Sequence, residues 1–339
     1  MPLSVCIPTY RGLDLIDATL ATILAQDYHD FEVVICNDSP DDHAAMAAKI
    51  AAYRDPRLRF FANEVNLGYP CNLRKCTQLA SHDILFLMGQ DDLLLGEDVF
   101  RRVVDILNAD PRIGCITRPY YWFHDAPRTP IRMVPKYHAR IIDIRTDPAG
   151  LHAILETVGQ LSALVYRRSL ITEPFDSNVF TAHIYPFLSI LKTHTCYYWP
   201  DFNLAVRTLS SQTRFLSSIY RPSPTKTWVE MCRRVFREPE FAAVRKATAK
   251  QAARNFVGLV QIRNYGHLID FFADARYLVR YRPLNLLAPR FLCVFLGCAL
   301  TPRPVLRWLV DAYKCQCLRR RYGTLLDGTP GVAVRKEHI

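Results

Sequence analysis

An apolar run that ends in two adjacent aspartates sets the strongest constraint on how this chain folds. Ile84 to Met88 is apolar without interruption, Gly89 breaks the run, and Gln90-Asp91-Asp92 follows. A strand that is apolar at every position has no face for water, so it belongs in a parallel sheet covered on both sides. The carboxyl ends of such strands border the crevice in which open α/β sheets bind ligands. Two carboxylates there repel each other unless positive charge accompanies them. A divalent cation carrying a substrate diphosphate meets that need, because Mg²⁺ is usually held by one or two carboxylates together with phosphate oxygens. Taken alone, the same pair is also a solvated turn in which Asp92 caps a helix.

The residues around this run alternate in period. Strands are expected at Leu3 to Ile7, Phe31 to Cys36, Arg57 to Phe61, Asp83 to Met88 and Ile113 to Thr117. Helical spacing fills the gaps, at Asp14 to Gln26, Asp41 to Tyr53, Tyr69 to Ala80 and Glu97 to Asn108. Such βαβα alternation predicts an α/β fold, a mostly parallel mixed sheet flanked by helices. After Pro119 the alternation weakens, with strands expected at Leu161 to Tyr166 and Tyr197 to Arg207 and a helix around Ile184 to Lys192. Beyond Pro224 the pattern is helical, in long amphipathic stretches from Thr225 to Arg237 and from Pro239 to about Tyr281. The expected division is 1–119 for a nucleotide-binding part, 120–223 for an acceptor-binding part and 224–339 for a helical, basic extension.

Charge narrows the choice of partners. The formal net charge is +11, which suits nucleic acid, an anionic membrane or an anionic substrate. The basic residues gather in the apolar tail from Arg276 to Arg321, away from any nucleic-acid motif, so no nucleic acid is expected. In that tail the longest apolar run, Phe291 to Leu300, is shorter than the roughly 20 residues a membrane span needs. Arg and Trp308 mixed into apolar faces fit helices lying in a membrane interface. The plain alternative is a helical layer with a solvated basic face. The eleven cysteines include no CxxC pair. Cys6, Cys36, Cys115, Cys293 and Cys298 sit in apolar runs and read as small core residues. With no leader ahead of the first strand, the expected location is cytoplasmic, peripheral on the inner face of the plasma membrane.

Four strand ends should meet at one crevice. They read Pro8-Thr9-Tyr10-Arg11, then Asn37-Asp38-Ser39, then Asn63 to Tyr69 leading to Asn72, Arg74 and Lys75, then Gly89 to Asp92. VCIPTYRG, FEVVICNDS, NxGxxxNLRK and FLMGQDD, in that order and spacing, resemble a family 2 glycosyltransferase with the GT-A fold. The resemblance covers about the first 120 residues closely and the next 90 more loosely.

The resemblance implies roles residue by residue. Pro8 and Tyr10, with Thr9 and Arg11 beside them, match the positions that pack on the nucleotide base. Asp38 matches the aspartate that accepts a hydrogen bond from that base. Uracil and thymine carry an N3–H donor and cytosine does not, so Asp38 favours a UDP- or dTDP-sugar. Arg74 or Lys75 would lie near the diphosphate. Asp91 matches the carboxylate on the ribose or sugar side, and Asp92 matches the ligand of a divalent metal, Mn²⁺ or Mg²⁺. Gly89 stands where many members carry a further acid. Arg207 resembles the arginine that reaches the diphosphate. The Glu-Asp pair that usually supplies the catalytic base is replaced by Ala182-His183, so His183 or Asp176 becomes the candidate base; His183 packing at its helix start is the alternative. The QxxRW signature of processive synthases is absent, with only a partial echo at Gln212 to Phe215, which points to transfer of one sugar. The implied function is a metal-dependent, inverting transfer to a saccharide or lipid-linked saccharide in surface polysaccharide synthesis. The competing readings are a sugar-phosphate nucleotidyltransferase and a non-enzymatic basic binding protein. Asp41 and Asp42 are expected to cap a helix. The aromatic run Tyr120 to His124 is read first as core and second as a sugar platform.

Overall fold

The computed structural model describes residues 1–124, 126–175, 182–208 and 220–313. Asp176, the partial echo at Gln212 to Phe215, Lys314 and the arginines at 319–321 lie outside the described residues. Twelve strands are described: β1 (Leu3–Thr9), β2 (Phe31–Asn37), β3 (Leu58–Ala62), β4 (Ile84–Leu87), β5 (Leu93–Leu94), β6 (Ile113–Thr117), β7 (Tyr121–Phe123), β8 (Arg132–Met133), β9 (Arg140–Ile142), β10 (Leu164–Arg167), β11 (Thr195–Tyr198) and β12 (Leu204–Arg207). The helices are α1 (Ile16–Leu24), α2 (His43–Ala52), α3 (Tyr69–Leu79), α4 (Val99–Ala109), α5 (Leu151–Leu155), α6 (Ile184–Ile190), α7 (Pro224–Val235), α8 (Ala242–Ala252), α9 (Gly258–Tyr265), α10 (Leu268–Tyr281), α11 (Pro289–Leu300) and α12 (Arg303–Tyr313).

Eight strands form one sheet in the order β3-β2-β1-β4-β10-β6-β11-β9. β3, β2, β1 and β4 run parallel, while β10 enters antiparallel to both β4 and β6. A second sheet has the order β5-β12-β7-β8. The expected mixed α/β architecture is therefore present. β1, β2 and β4 are apolar on both faces because helices cover both, and every residue of β2 and β4 is buried. α4 shows the helical counterpart: Val99, Phe100, Val103, Val104 and Leu107 fall on one face and are all buried. Phe100 packs edge-on against Phe86 at 5.0 Å and Phe31 at 5.1 Å between ring centroids, joining α4 to the sheet.

Pro8 is a test of this register, since a proline in a central strand removes a ladder donor. The carbonyl of Cys6 accepts from Met88 N and the carbonyl of Thr9 accepts from Asp38 N, so residues 6 and 8 face β4 while 7 and 9 face β2. The last β1–β4 pair is Cys6 with Leu87. Pro8 thus lies past the end of β4, where no ladder bond is lost.

The chain divides into two compact units. The first comprises Met1–Asp143 with Ala153–Thr208, and the second Ile144–His152 with the described residues from 220 onward. In the second unit, Phe271, Leu278, Leu259, Ile262 and Phe291 make an apolar centre among α9, α10 and α11. Buried Asp274 accepts from the Ser223 hydroxyl and from Thr225 N and Oγ1, which fixes the start of α7 against α10.

Several sequence expectations change. Tyr197 to Arg207 is two strands, not one: β11 joins the large sheet and β12 the small one, with Pro200 and Asp201 between them. Proline cannot donate to a ladder, and Asp201 turns aside to accept from Trp199 Nε1 at 3.1 Å and Arg102 at 2.7 Å. The stretch from Pro239 to Tyr281 is three helices, and one break falls at Gly266, where a Cβ would meet the Ile262 carbonyl oxygen at 2.8 Å. Asp42 makes no capping bond with its side chain; it accepts from Asn37 Nδ2 at 2.7 Å. Cys293 is exposed on α11, while Cys6, Cys36, Cys115 and Cys298 are buried. Tyr120, Tyr121 and Phe123 are buried core residues and Trp122 is half-buried.

Phe100 touches two layers at no exposure, so Phe100→Ala should lower the unfolding free energy by about 3–5 kcal/mol. Urea melts followed by circular dichroism check this; a loss below about 1 kcal/mol would contradict the packing described.

Candidate active site

The parallel register fixes what lies along one edge of the large sheet. Beyond β3 comes Asn63, beyond β2 Asp38, beyond β1 Tyr10, and beyond β4 Gly89 to Asp92. β10 runs the other way, so it brings its leading residue Ser162 to the same edge, and β6 brings Arg118.

Asp38 is 2% exposed, and its carboxylate is held by three donors. Oδ1 accepts from Asn63 Nδ2 and Leu67 N, each at 2.8 Å, and Oδ2 accepts from Gly68 N at 2.8 Å. Two consecutive amides can point at one carboxylate because Gly68 has φ of 76° and ψ of 155°, a conformation open to glycine alone. α3 starts immediately afterwards, with Pro70 in its first turn. Asn63 carries the network inward, donating also to Asn72 Oδ1 at 2.9 Å and accepting from Lys75 Nζ at 2.7 Å. Asn72 Nδ2 donates to the Cys36 carbonyl at 2.9 Å. A carboxylate offers about four acceptor positions, and among the described residues one on Oδ2 has no donor.

The two adjacent aspartates separate into different environments. Asp91 is half-buried at the edge, whereas Asp92 is 2% exposed beneath it. Asp92 Oδ1 accepts from Arg207 N at 3.0 Å, and Oδ2 accepts from Gln160 Nε2 at 2.6 Å and from the Ser162 hydroxyl. Burial foremost, then the charge of Asp91, pushes the Asp92 carboxyl up to about 8, against the pull of those donors. Asp92, expected from the sequence as a metal ligand, has its carboxylate turned inward, where it accepts from neutral donors. Gly89 sits against both acids. A Cβ there would lie 3.0 Å from Asp92 Oδ2 and from Ser162 Oγ and 3.4 Å from Asp91 Oδ1, so a side chain at this position would be tightly packed and those groups would have to shift.

His183 is 4% exposed just ahead of α6. Nε2 lies 2.9 Å from the Val158 carbonyl, which can only accept, so Nε2 carries the proton. Nδ1 then accepts from the Tyr69 hydroxyl at 3.0 Å. Both ring nitrogens are engaged, and burial lowers the imidazole pKa to about 4. Burial raises the Tyr69 phenol, which stays a donor.

The remaining candidates divide between crevice and support. Pro8 and Tyr10 are half-buried at the end of β1, and Arg11, exposed with φ of 50°, lies over the Tyr10 ring at 5.2 Å. Thr9 is fully buried and donates to Asn37 Oδ1 at 3.1 Å, so it supports the edge from below. Lys75 joins the network, but Arg74 is exposed on α3 beside Cys71. Arg207 contributes its backbone amide to Asp92, and its half-buried guanidinium lies over Phe123 at 5.0 Å. Asp176 lies outside the described residues.

Sequence reasoning missed four contributors. Gln90 makes a two-way pair with the backbone of Tyr10, accepting from its N at 2.8 Å and donating to its O at 3.0 Å. Gln160 and Ser162 hold Asp92; two polar residues opening the otherwise apolar Leu161 to Tyr166 were the available signal. Arg118 is fully buried, with Nε and Nη1 unpartnered among the described residues. Its Nη2 donates to the Gln160 carbonyl at 3.4 Å.

Residues 4–170 match the family model described as glycosyl transferase family 2. An uncharacterised protein of Mycobacterium tuberculosis is 29% identical over 231 residues, covering 62% of this chain and 69% of that one. The Escherichia coli enzyme WfgD, described as a UDP-Glc:alpha-D-GlcNAc-diphosphoundecaprenol beta-1,3-glucosyltransferase, is 24% identical over 90 residues, which is 26% of this chain and 35% of its own length. Among solved structures, S. aureus TarS in complex with UDP-GlcNAc aligns with a TM-score of 0.56 at 15% identity, covering 96% of this chain and 91% of that one. The mannosyltransferase PcManGT of Pyrobaculum calidifontis, solved with GDP-Man and Mn²⁺, aligns at 0.50 and 17% identity, covering 88% and 86%. These likenesses show the GT-A fold.

Asn63→Ala removes a donor to Asp38 and leaves Asn72 and Lys75 short of partners, so it should cost about 1–3 kcal/mol in a urea melt. His183 gives a pH signature. Its folded value of about 4 lies below the ordinary 6.5, so the unfolded chain binds the extra proton between those values. The contribution of His183 is present above about 6.5 and is lost as pH falls toward 4. Stability should drop by about 2 kcal/mol more between pH 7 and pH 5 in the native protein than in His183→Gln. Equal slopes for the two proteins would refute the buried, neutral assignment.

Proposed function

Because residues 4–170 form a glycosyl transferase family 2 domain, we propose that the protein moves one sugar from a UDP- or dTDP-sugar to a hydroxyl of a saccharide carried on a lipid. The observation that carries this reading is the alignment of Tyr10, Asp38 and Asp91 along one sheet edge, each at the end of a parallel strand. Pro8 and Tyr10 offer apolar faces for a planar base, and the open acceptor position on Asp38 Oδ2 suits the N3–H of uracil or thymine. The E. coli relative is described as acting on a diphosphoundecaprenol-linked sugar, which supports a lipid-linked acceptor and a role in polysaccharide synthesis.

The residues present fit a divalent cation. No group of three or more His, Cys, Asp or Glu side chains that could hold one occurs among the described residues. Half-buried Asp91 can supply one hard oxygen, and donor phosphates and water would supply the rest, which is the usual arrangement for Mg²⁺ and its like. Such a cation, when bound, neutralises the departing nucleoside diphosphate. Asp92 acts from below, holding Arg207 at the edge through its backbone amide, which would let the guanidinium reach toward a departing diphosphate.

In an inverting transfer the acceptor oxygen bonds to the anomeric carbon as the bond from that carbon to the diphosphate oxygen breaks. The acceptor proton passes to a base. His183 serves only if Tyr69 releases Nδ1, since that nitrogen is the one with a lone pair; Asp176 is the other candidate.

Incubation with UDP-, dTDP-, GDP- and CDP-sugars and Mn²⁺, with a saccharide acceptor, should release nucleoside diphosphate from the first two. Asp91→Asn should lower turnover about 100-fold or more. Pyrophosphate as the product would make the protein a nucleotidyltransferase, and undiminished turnover in Asp91→Asn would remove the carboxylate from the chemistry.

A further inference from the structure

The helices α10, α11 and α12 each bury one seam and show a second apolar face to solvent. Phe271, Leu278, Phe291, Cys298 and Leu306 point into the apolar centre of the second unit. On the opposite side α11 exposes Cys293, Leu296, Gly297 and Leu300, a spacing of three, four and seven that defines one helical face. Leu296 is 50% exposed and Leu300 79%. On α12, Val305, Trp308 and Leu309 repeat the pattern, with Trp308 at 67%. In the turn between α10 and α11, Leu287 is 77% exposed. A helix that is apolar all round belongs in a core or in lipid, and α11 has no charged side chain from Phe291 to Leu300. Isolated exposed leucines need no explanation, but a contiguous set on consecutive elements does.

We propose that this face lies on an anionic lipid bilayer, with the apolar side chains of α11 and α12 in the headgroup boundary and arginines against lipid phosphates. Charge chooses this occupant over a second copy of the chain. Six arginines and a single acid, Asp311, lie between Arg276 and Tyr313. Two copies meeting through such a face would repel, whereas an anionic leaflet is attracted by about 1 kcal/mol per basic residue near its surface. Arg303 and Arg307 are committed to carbonyls at the end of α9, but Arg276, Arg280 and Arg290 are exposed. The face lies on the surface and does not span: no described helix is long and apolar enough to cross a membrane. α11, of 12 residues, reaches about 18 Å against a hydrocarbon core of about 30 Å. Trp308 has the amphipathic ring favoured at that boundary.

The inference is independent of the sugar-transfer reading, and the two fail separately. Flotation of the full chain with vesicles of phosphatidylcholine, alone or mixed with phosphatidylglycerol, tests it. The native protein should float with the mixed vesicles. Leu296→Ser/Leu300→Ser/Trp308→Ser should partition at least about tenfold more weakly. Arg276→Gln/Arg280→Gln/Arg290→Gln should lose the preference for phosphatidylglycerol. Both variants should keep a native circular-dichroism melt and native transfer to a water-soluble acceptor. Native protein that stays with neither vesicle, or an apolar variant that floats as well as the native one, overturns the proposal. So does sedimentation showing a dimer that the apolar variant dissolves while neither protein binds vesicles.

Discussion

The carboxylate of Asp38 is the joint on which the candidate site depends. It is buried, and burial of a charge without donors would be prohibitive. Three donors therefore have to be delivered to it, and they come from the end of β3 and from the loop that leads into α3. The joint thereby fixes the relative position of β2, β3 and α3, and with them the approach to Tyr10. Asn63 and Asn72 extend the fixation to the carbonyl of Cys36, so the sheet edge is braced by side chains where the ladder has ended.

Asp91 and Asp92 divide their work by depth. One residue of difference in a tight turn puts one acid at the edge and the other beneath it. The lower acid is satisfied by neutral donors from the loop ahead of β10 and from β12, and so it ties the two sheets at one point. The upper acid is half-buried at the edge. Gly89 leaves space beside Asp92, because a Cβ there would come within 3.0 Å of its Oδ2 and of Ser162 Oγ.

Most of the first unit was legible because its signals are local. Apolar strands at Leu3, Phe31 and Ile84 and amphipathic helices between them report on their own burial, and parallel topology then places Asp38, Tyr10 and Asp91 side by side. What was not legible depends on antiparallel insertion and on contacts between residues far apart in sequence. Nothing near Ser162 says that β10 enters beside β4 in reverse, so its bond to Asp92 across 70 residues was invisible. His183 was read from its place in a motif, while its closed bonds to Tyr69 and Val158 come from segments 114 and 25 residues away. In the second unit, one long amphipathic pattern concealed breaks that depend on a single glycine and its neighbours.

Arg118 shows how the charge of this edge is balanced from inside. A fully buried guanidinium with two unpartnered donors is costly, and burial lowers its pKa to about 10. The cost is offset by position. Nη2 meets the Gln160 carbonyl, and the side chain of the same Gln160 donates to Asp92, so a single residue couples the buried cation to the buried acid. Where Asp92 is ionised, its charge favours the charged form of Arg118. The same guanidinium disfavours protonation of His183, adding to burial in keeping the imidazole neutral. The polar groups beneath the crevice are therefore one electrostatic unit. The edge of the crevice thus carries a half-buried acid, Asp91, above a buried acid, Asp92, whose carboxyl is held by neutral donors.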